Sequence, residues 1–251
     1  MSKYFKRIGF YIFLIMIWAF IAKLKIWPEY LFPTPTGVWN SFLDGINDHT
    51  FIIGTMVSLK RIAIGYGISI VLGMLLGMAI GRNRLLEETL GSLIIGLQAL
   101  PSICWLPLSV LWFGLSEKAI IFVVIMGALL AITISTISGV KNISPIYIKA
   151  GKNMGANEFE LLKSVFLPAA LPAIVTGLKQ GWSFAWRSLL AGELIYVSVG
   201  LGQLLTMGRE LNDMNRVIAV MLVLILIGLI VDKVLFTKLE KGIRKRWGFE
   251  N

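Results

Sequence analysis

Six long apolar runs constrain this chain more than anything else in it. They cover roughly residues 8–22, 62–80, 93–113, 119–137, 173–199 and 217–231. Runs of this kind match the roughly 30 Å of hydrocarbon in a bilayer, and a backbone there must satisfy its own hydrogen bonds as a helix or a closed barrel. Composition agrees: 57% of residues are apolar and 15% charged, with a mean hydropathy of +0.80, whereas soluble domains carry about 25% charge. The expectation is an all-α polytopic membrane protein with a single transmembrane domain over residues 1–251. The first run follows Lys3, Lys6 and Arg7 and is followed by Lys23, Lys25 and Trp27 with no small-x-small site, so it reads as a retained span rather than a signal peptide.

Six spans place both termini on one side. If that side is the cytoplasm, the inner segments hold Lys3, Lys6, Arg7, Arg82, Arg84, Lys141, Lys149, Lys152, Lys163, Lys233, Lys238, Lys241, Arg244, Lys245 and Arg246. The outer segments hold Lys23, Lys25, Lys60, Arg61, Lys118, Arg209 and Arg216. Fifteen against seven predicts N-in and C-in, with Lys60 and Arg61 at a span edge where they can snorkel. The same bias accounts for the net charge of +10 as a topology signal attracted to anionic lipid. A nucleic-acid face would interleave basic and aromatic residues on a soluble surface, and the sequence has none.

Two connections are longer than spans require. In the outer one, 23–61, Pro33-Thr34-Pro35 forces an extended turn. Val38, Trp39, Phe42 and Ile46 then keep helical spacing, as for a short amphipathic helix along the interface. In the inner one, 138–172, Pro145 suits a first helical turn and Gly155 a helix end. Asn157 is a fair N-cap for a second helix, with Glu158 and Glu160 favourably placed near the positive end of its dipole. Pro168 and Pro172 are expected to stop that helix before the next span. A polar helix–glycine turn–helix of this kind suits a docking knob, and mere packing is the alternative.

Within the spans, Gly65, Ser69, Gly73, Gly77 and Gly81 recur every fourth residue, a face that lets another helix approach closely. Pro101 and again Pro107 are expected to break the third span and push the helix off axis, with Pro101 and Trp105 as candidate pathway residues. The fifth span carries Lys179, Trp182, Trp186 and Glu193 on one stripe and Arg187 off it. Intramembrane charges cost roughly 3 kcal/mol or more and are usually functional. Lys179, Trp186, Arg187 and Glu193 are therefore candidates for the pathway, or else members of structural ion pairs with other helices.

Chemistry within the chain is narrowly bounded. Cys104 and His49 are the only residues of their kinds, which leaves no thiolate metal cluster, disulfide, Cys/His nucleophile or histidine relay. No metal or cofactor site is expected. A phosphate-binding loop needs Gly, four residues, then Gly-Lys-Ser/Thr; here Ile146 precedes Gly151-Lys152 and Asn153 follows, so the chain is predicted not to hydrolyse ATP. A secondary transporter would show internal repeats or coupling carboxylates at the midplane, and Glu193 is the one intramembrane acid.

The inner connection resembles the "EAA" loop of ABC importer permease subunits through Ala150, Gly151, Gly155, Leu167 and Pro168. Other segments resemble the nitrate/sulfonate/taurine branch. They are Phe32-Pro33-Thr34-Pro35 with Trp39, Ser58-Leu59-Lys60-Arg61, Pro101-Ser102-Ile103-Cys104-Trp105-Leu106-Pro107, Leu167-Pro168-Ala169-Ala170-Leu171-Pro172, Ala185-Trp186 and Glu193. Lys149 stands where the pattern has glutamate. The resemblance implies a type I ABC importer fold in a bacterial cytoplasmic (inner) membrane, no ATPase motif in this chain, and a separate ATPase subunit pair. It also implies a second permease copy and an extracytoplasmic binding protein. Tyr147, Lys149, Ala150, Gly151, Asn153, Met154, Gly155, Ala156, Asn157, Glu158, Leu167 and Pro168 would form the ATPase-coupling loop. The cargo implied is a small anion such as sulfonate, taurine or nitrate, or else a thiamine or riboflavin precursor.

Overall fold

The computed structural model describes residues 3–195 and 198–246. All its regular structure is helical: α1 (Lys3–Lys23), α2 (Pro35–Asn47), α3 (Thr50–Arg82), α4 (Arg84–Gln98), α5 (Ser102–Phe113), α6 (Glu117–Lys141), α7 (Pro145–Asn153), α8 (Glu158–Ile195), α9 (Leu201–Glu210), α10 (Met214–Val231) and α11 (Thr237–Arg246). Among the described residues, α1, α3, α6, α8 and α10 with its continuation are long and apolar enough to cross a membrane, and α4 with α5 supplies a sixth candidate, bent by 102°. The C-terminal end of the fifth predicted span, at 196–197, lies outside the described residues.

Three boundaries differ from expectation, each for a local reason. Residues 50–61 are the first turns of α3 rather than part of a connection. The third span breaks at Pro101, as expected: that residue is extended at φ −55° and ψ 136°, and its ring offers no N–H to continue the helix. Pro107 breaks nothing, since it occupies the first turn of a helix, where its missing donor is not needed. Pro168 and Pro172 do not stop a helix either. A π turn at Leu162–Phe166 precedes them, and α8 runs on through Pro172 to Ile195. The wider turn relaxes the register in which the ring of Pro168 would meet a carbonyl.

The chain forms two compact units, Met1–Ser58 with Val197–Gly228, and Leu59–Tyr196 with Leu229–Asn251. In the first, Thr34 caps α2 by accepting from the Gly37 N–H, and the Trp18 indole donates to the Pro33 carbonyl at 2.9 Å, tying α1 to the turn before α2. Phe51 lies over Gly45, where a Cβ would sit 2.7 Å from its ring. The Leu201 N–H donates to the buried Ser58 hydroxyl at 2.9 Å. Between α2 and α3, Asp48 accepts from the Thr50 hydroxyl and N–H, and those bonds hold its carboxyl below the usual carboxylate range.

The second unit is built on α3, α6 and α8, and its seams are made of small residues. Along α3, a Cβ at Gly73 or Gly77 would meet Ile132 at 2.9 Å or Thr136 at 2.4 Å on α6. Ser69 of the same row bonds the Gly65 and Ile125 carbonyls. Gly127, Gly177 and Gly181 do the same between α6 and α8. Lipid tails are as apolar as leucine, so helix association in a membrane depends on such close approach. Ile62, Val124, Ile132, Ala185 and Leu189 fill the resulting core, with Phe236 following α10.

Candidate functional site

The polar loop between α6 and α8 is a compact projection. Ser144 precedes Pro145, which opens α7, and the helix ends at Met154 and Gly155. Gly155 has φ +83°, a left-handed conformation that glycine adopts without steric cost. Asn157 then caps α8 by a complete capping box: its side chain accepts from the Glu160 N–H, and the Glu160 carboxylate accepts from the Asn157 N–H. Two rigid helices thus meet at one glycine.

This projection carries apolar residues outward. Ile146, Tyr147, Phe159 and Met154 are exposed, Met154 by 87%. Lys149, Lys152 and Asn153 surround them, also exposed, while Gly151 packs against Leu161, 2.7 Å from its would-be Cβ. A groove of about 1000 Å³ separates α7 from the start of α8, lined among others by Tyr147, Ala150, Gly151, Ala156 and Pro168. Leu167 lies just past the π turn. Glu158 does not stand free: it pairs with Arg82 at the end of α3, whose guanidinium lies 4.8 Å over the Phe166 ring. Lys141 pairs with Glu87 nearby. These links join the loop to the ends of α3, α4 and α6.

The three charged residues in the apolar part of α8, Lys179, Arg187 and Glu193, have three environments. Glu193 is 1% exposed, and its carboxylate accepts from Arg61 Nη1 at 2.9 Å. Arg61 is itself buried rather than snorkelling, and also donates to Glu117 at 2.9 Å. The sequence reading missed Arg61 as a partner; a buried acid near one end of α8 requires a cation at the same depth, which was the available signal. Lys179 pairs with Asp232 at 2.9 Å and Glu240 at 3.4 Å. Trp186 stacks on Trp182 with ring centroids 6.0 Å apart and packs against the α3–α6–α8 core. Arg187 differs from both charged neighbours: it is exposed, lies 5.4 Å over the Phe184 ring, and pairs with no carboxylate among the described residues. Phe184, Pro101, Trp105 and Gly127 line a cavity of about 160 Å³ at the α4–α5 break. Pro101 and Trp105 thus line one cavity, Arg187 lies over the Phe184 ring outside that lining, and Lys179 and Glu193 belong to ion pairs.

Residues 69–245 match the binding-protein-dependent transport system inner membrane components. The chain belongs to this family. It is a membrane permease of the ABC importer type, in keeping with its apolar helices. The ABC transporter permease protein MJ0413 of Methanocaldococcus jannaschii is 37% identical over 73% of this chain and 69% of that protein. The taurine transport system permease protein TauC of Escherichia coli is 29% identical over 94% of this chain and 85% of its own length. The formylaminopyrimidine transport permease protein ThiX of Halalkalibacterium halodurans is 30% identical over 88% of each. In fold, the permease resembles a chain of the methionine ABC transporter MetNI in inward-facing conformations, with a TM-score of 0.62 over 74% of this chain and 94% of that one at 18% identity. This is the type I ABC importer fold. The family and these relatives are membrane components, not ATPases.

Proposed function

We propose that this permease acts as one transmembrane domain, N-in and C-in, and forms the pathway for a small organic or inorganic anion such as taurine, another sulfonate or nitrate. Two copies form the pore, an extracytoplasmic binding protein delivers cargo, and a separate pair of ATPase subunits supplies the energy. The observation that carries the coupling role is the α7–Gly155–α8 projection with its outward Tyr147 and 87%-exposed Met154. An apolar tip ringed by lysines is costly in water unless a partner covers it. Nucleotide-driven closure of the ATPase pair pushes on α7, and the Arg82–Glu158 and Lys141–Glu87 pairs carry the displacement into α3, α4 and α6.

The anion assignment is supported by the relatives named for taurine, aliphatic sulfonates and nitrate and by Arg187, a permanently charged group without a carboxylate partner among the described residues. A second reading, a pyrimidine precursor as cargo, is favoured by the formylaminopyrimidine permease. The experiment is ATP-dependent uptake by proteoliposomes that hold this permease with its ATPase and binding protein, using labelled taurine, nitrate and formylaminopyrimidine in parallel. Uptake that survives an inactivated ATPase, or a projection at Met154 that crosslinks to no ATPase, sinks the proposal.

A further inference from the structure

The spans differ in what they turn outward. On α3 the exposed residues between 63 and 79 are all apolar, among them Ile68, Val71, Leu72 and Leu75. On α10, Met221, Leu222, Ile225 and Leu226 are likewise exposed. Such faces suit lipid. Between residues 168 and 193, α8 exposes Thr176, Gln180, Ser183 and Arg187, and each of them is polar. Their spacing of four, three and four residues keeps them within about 60° of arc. The side with Lys179, Trp182, Trp186 and Glu193 lies about 100° round the helix, and it is taken up by ion pairs and core packing.

The polar stripe lies deep. A Cβ at Gly177 would meet Ser135 of α6, and one at Gly127 of α6 would meet Ser188, so the stripe runs beside residues 127–135. Those positions start ten residues from Glu117 and end six from Lys141, roughly 15 Å and 9 Å from the two ends of α6 at 1.5 Å per residue. The Thr176 and Ser183 hydroxyls donate back to the Pro172 and Lys179 carbonyls at 3.1 and 3.3 Å, as hydroxyls in membrane helices do. Gln180 bonds no described residue, and Arg187 rests on the Phe184 ring with no carboxylate beside it among the described residues. An exposed amide and guanidinium at this depth need water or more protein.

Charge decides between those two. Copies inserted in the same sense are related by a twofold axis along the membrane normal, so a stripe packed on its counterpart meets it at equal depth. Two guanidiniums would then touch, and like charges repel most strongly in a dry seam. Another face of the second copy would have to offer an acid, and the acids nearest this depth, Glu193 and Asp232, already hold Arg61 and Lys179. We infer that the stripe is a wall of the water-filled path between two copies, and that Gln180 and Arg187 are the wall groups that touch passing cargo. This rests on the permease reading and deepens it: the path follows a side of α8 on which the sequence reading placed only Arg187.

Thiol accessibility tests it. Cys104 is the only cysteine, so a Cys104→Ser chain with one further substitution holds a single thiol. The stripe variants are Thr176→Cys, Gln180→Cys and Ser183→Cys. The comparators are Leu75→Cys on α3, Leu226→Cys on α10 and the buried Val175→Cys beside the stripe. Each is assembled with its ATPase and binding protein in permeabilised membranes. Sulfonatoethyl methanethiosulfonate is added while ATP keeps the transporter cycling, so that every state of the path is visited. The reacting species is the thiolate, and hydrocarbon penalises an ion enough to slow labelling about a hundredfold. Stripe thiols should react faster than all three comparators by about that factor. Equal rates overturn the inference, and a disulfide between copies at Gln180→Cys in that case marks a dry seam. Fast labelling at Val175→Cys overturns it too, since a wall is one side of a helix. Ser183→Cys changes one atom and decides the matter should the other stripe variants fail to insert. Crosslinking from Met154→Cys to the ATPase reads the permease role separately. A crosslinked transporter whose stripe labels slowly loses the wall alone; a fast-labelled stripe in a chain that crosslinks to no ATPase keeps the wall and sinks the coupling reading.

Discussion

Removing Arg61 should damage this protein more than removing either acid it holds. Arg61 and Glu193 have side-chain exposures of 4% and 0%, and Glu117 of 56%. With Arg61→Met, Glu193 is left buried without its main cation, a situation that costs about 3–5 kcal/mol. Glu193→Gln leaves Arg61 its bond to Glu117, so the loss should fall nearer 1.5–3 kcal/mol, the worth of a charged hydrogen bond. Glu117→Gln breaks a half-solvated pair and should cost about 1 kcal/mol or less. Arg61→Met combined with Glu193→Leu replaces the pair by apolar side chains of similar volume and should recover most of the single-variant loss, since buried pairs often gain little over packed hydrophobes. Thermal and denaturant unfolding of detergent-purified chain, followed by circular dichroism, gives the ranking, and a double-mutant cycle gives the coupling. Additive costs, or Arg61→Met no worse than Glu117→Gln, would refute the reasoning.

Other substitutions separate packing from coupling. Gly77→Ala should destabilise by about 1–3 kcal/mol through overpacking, because its Cβ would lie 2.4 Å from Thr136; Gly67→Ala on the same helix meets nothing within 4 Å and should be neutral or stabilising by up to about 1 kcal/mol. Paired melting curves check the contrast. Gly155→Val forces a β-branched residue to φ +83°, which costs roughly 1–2 kcal/mol locally; uptake should collapse while the chain still inserts, and normal transport would contradict the coupling geometry. Arg82→Met breaks a surface pair worth about 0–1 kcal/mol, so stability should barely change while uptake per ATP hydrolysed falls. Lys149, which stands where the family pattern has an acid, predicts an acidic residue opposite it on the ATPase; Lys149→Glu should weaken co-purification of that subunit, and unchanged recovery would count against the contact.

Apolar runs and turn chemistry were legible because both are local. Asn157 caps its helix and Gly155 takes a left-handed φ, each as its neighbours in sequence predict, while the Thr34 cap on α2 and the Glu160 bond that completes the box came only with the structure. The proline readings went wrong where a remedy was available a few residues away. Pro172 sits inside α8 after a π turn at Leu162–Phe166, and no residue pattern announces that turn. Pro107 falls in a first helical turn only because Pro101 has already ended the preceding helix. A proline's effect thus depends on where the last hydrogen-bonded turn stopped, which is a property of the segment and not of the residue.

The polar residues were harder, because their meaning is set by partners far away in sequence. Lys179, Arg187 and Glu193 share one helix and one composition, yet Glu193 faces Arg61, 132 residues earlier, and Lys179 faces Asp232 and Glu240 beyond the next span. Helical periodicity fixes which side of α8 each occupies but cannot say which helix covers that side. Pairing then divides their roles by elimination. A charge held by an opposite charge at 2.9 Å contributes no net field along a pore, while an unpaired guanidinium at mid-depth does. Of the three, Arg187 alone has no carboxylate partner among the described residues, and its guanidinium rests on the Phe184 ring instead.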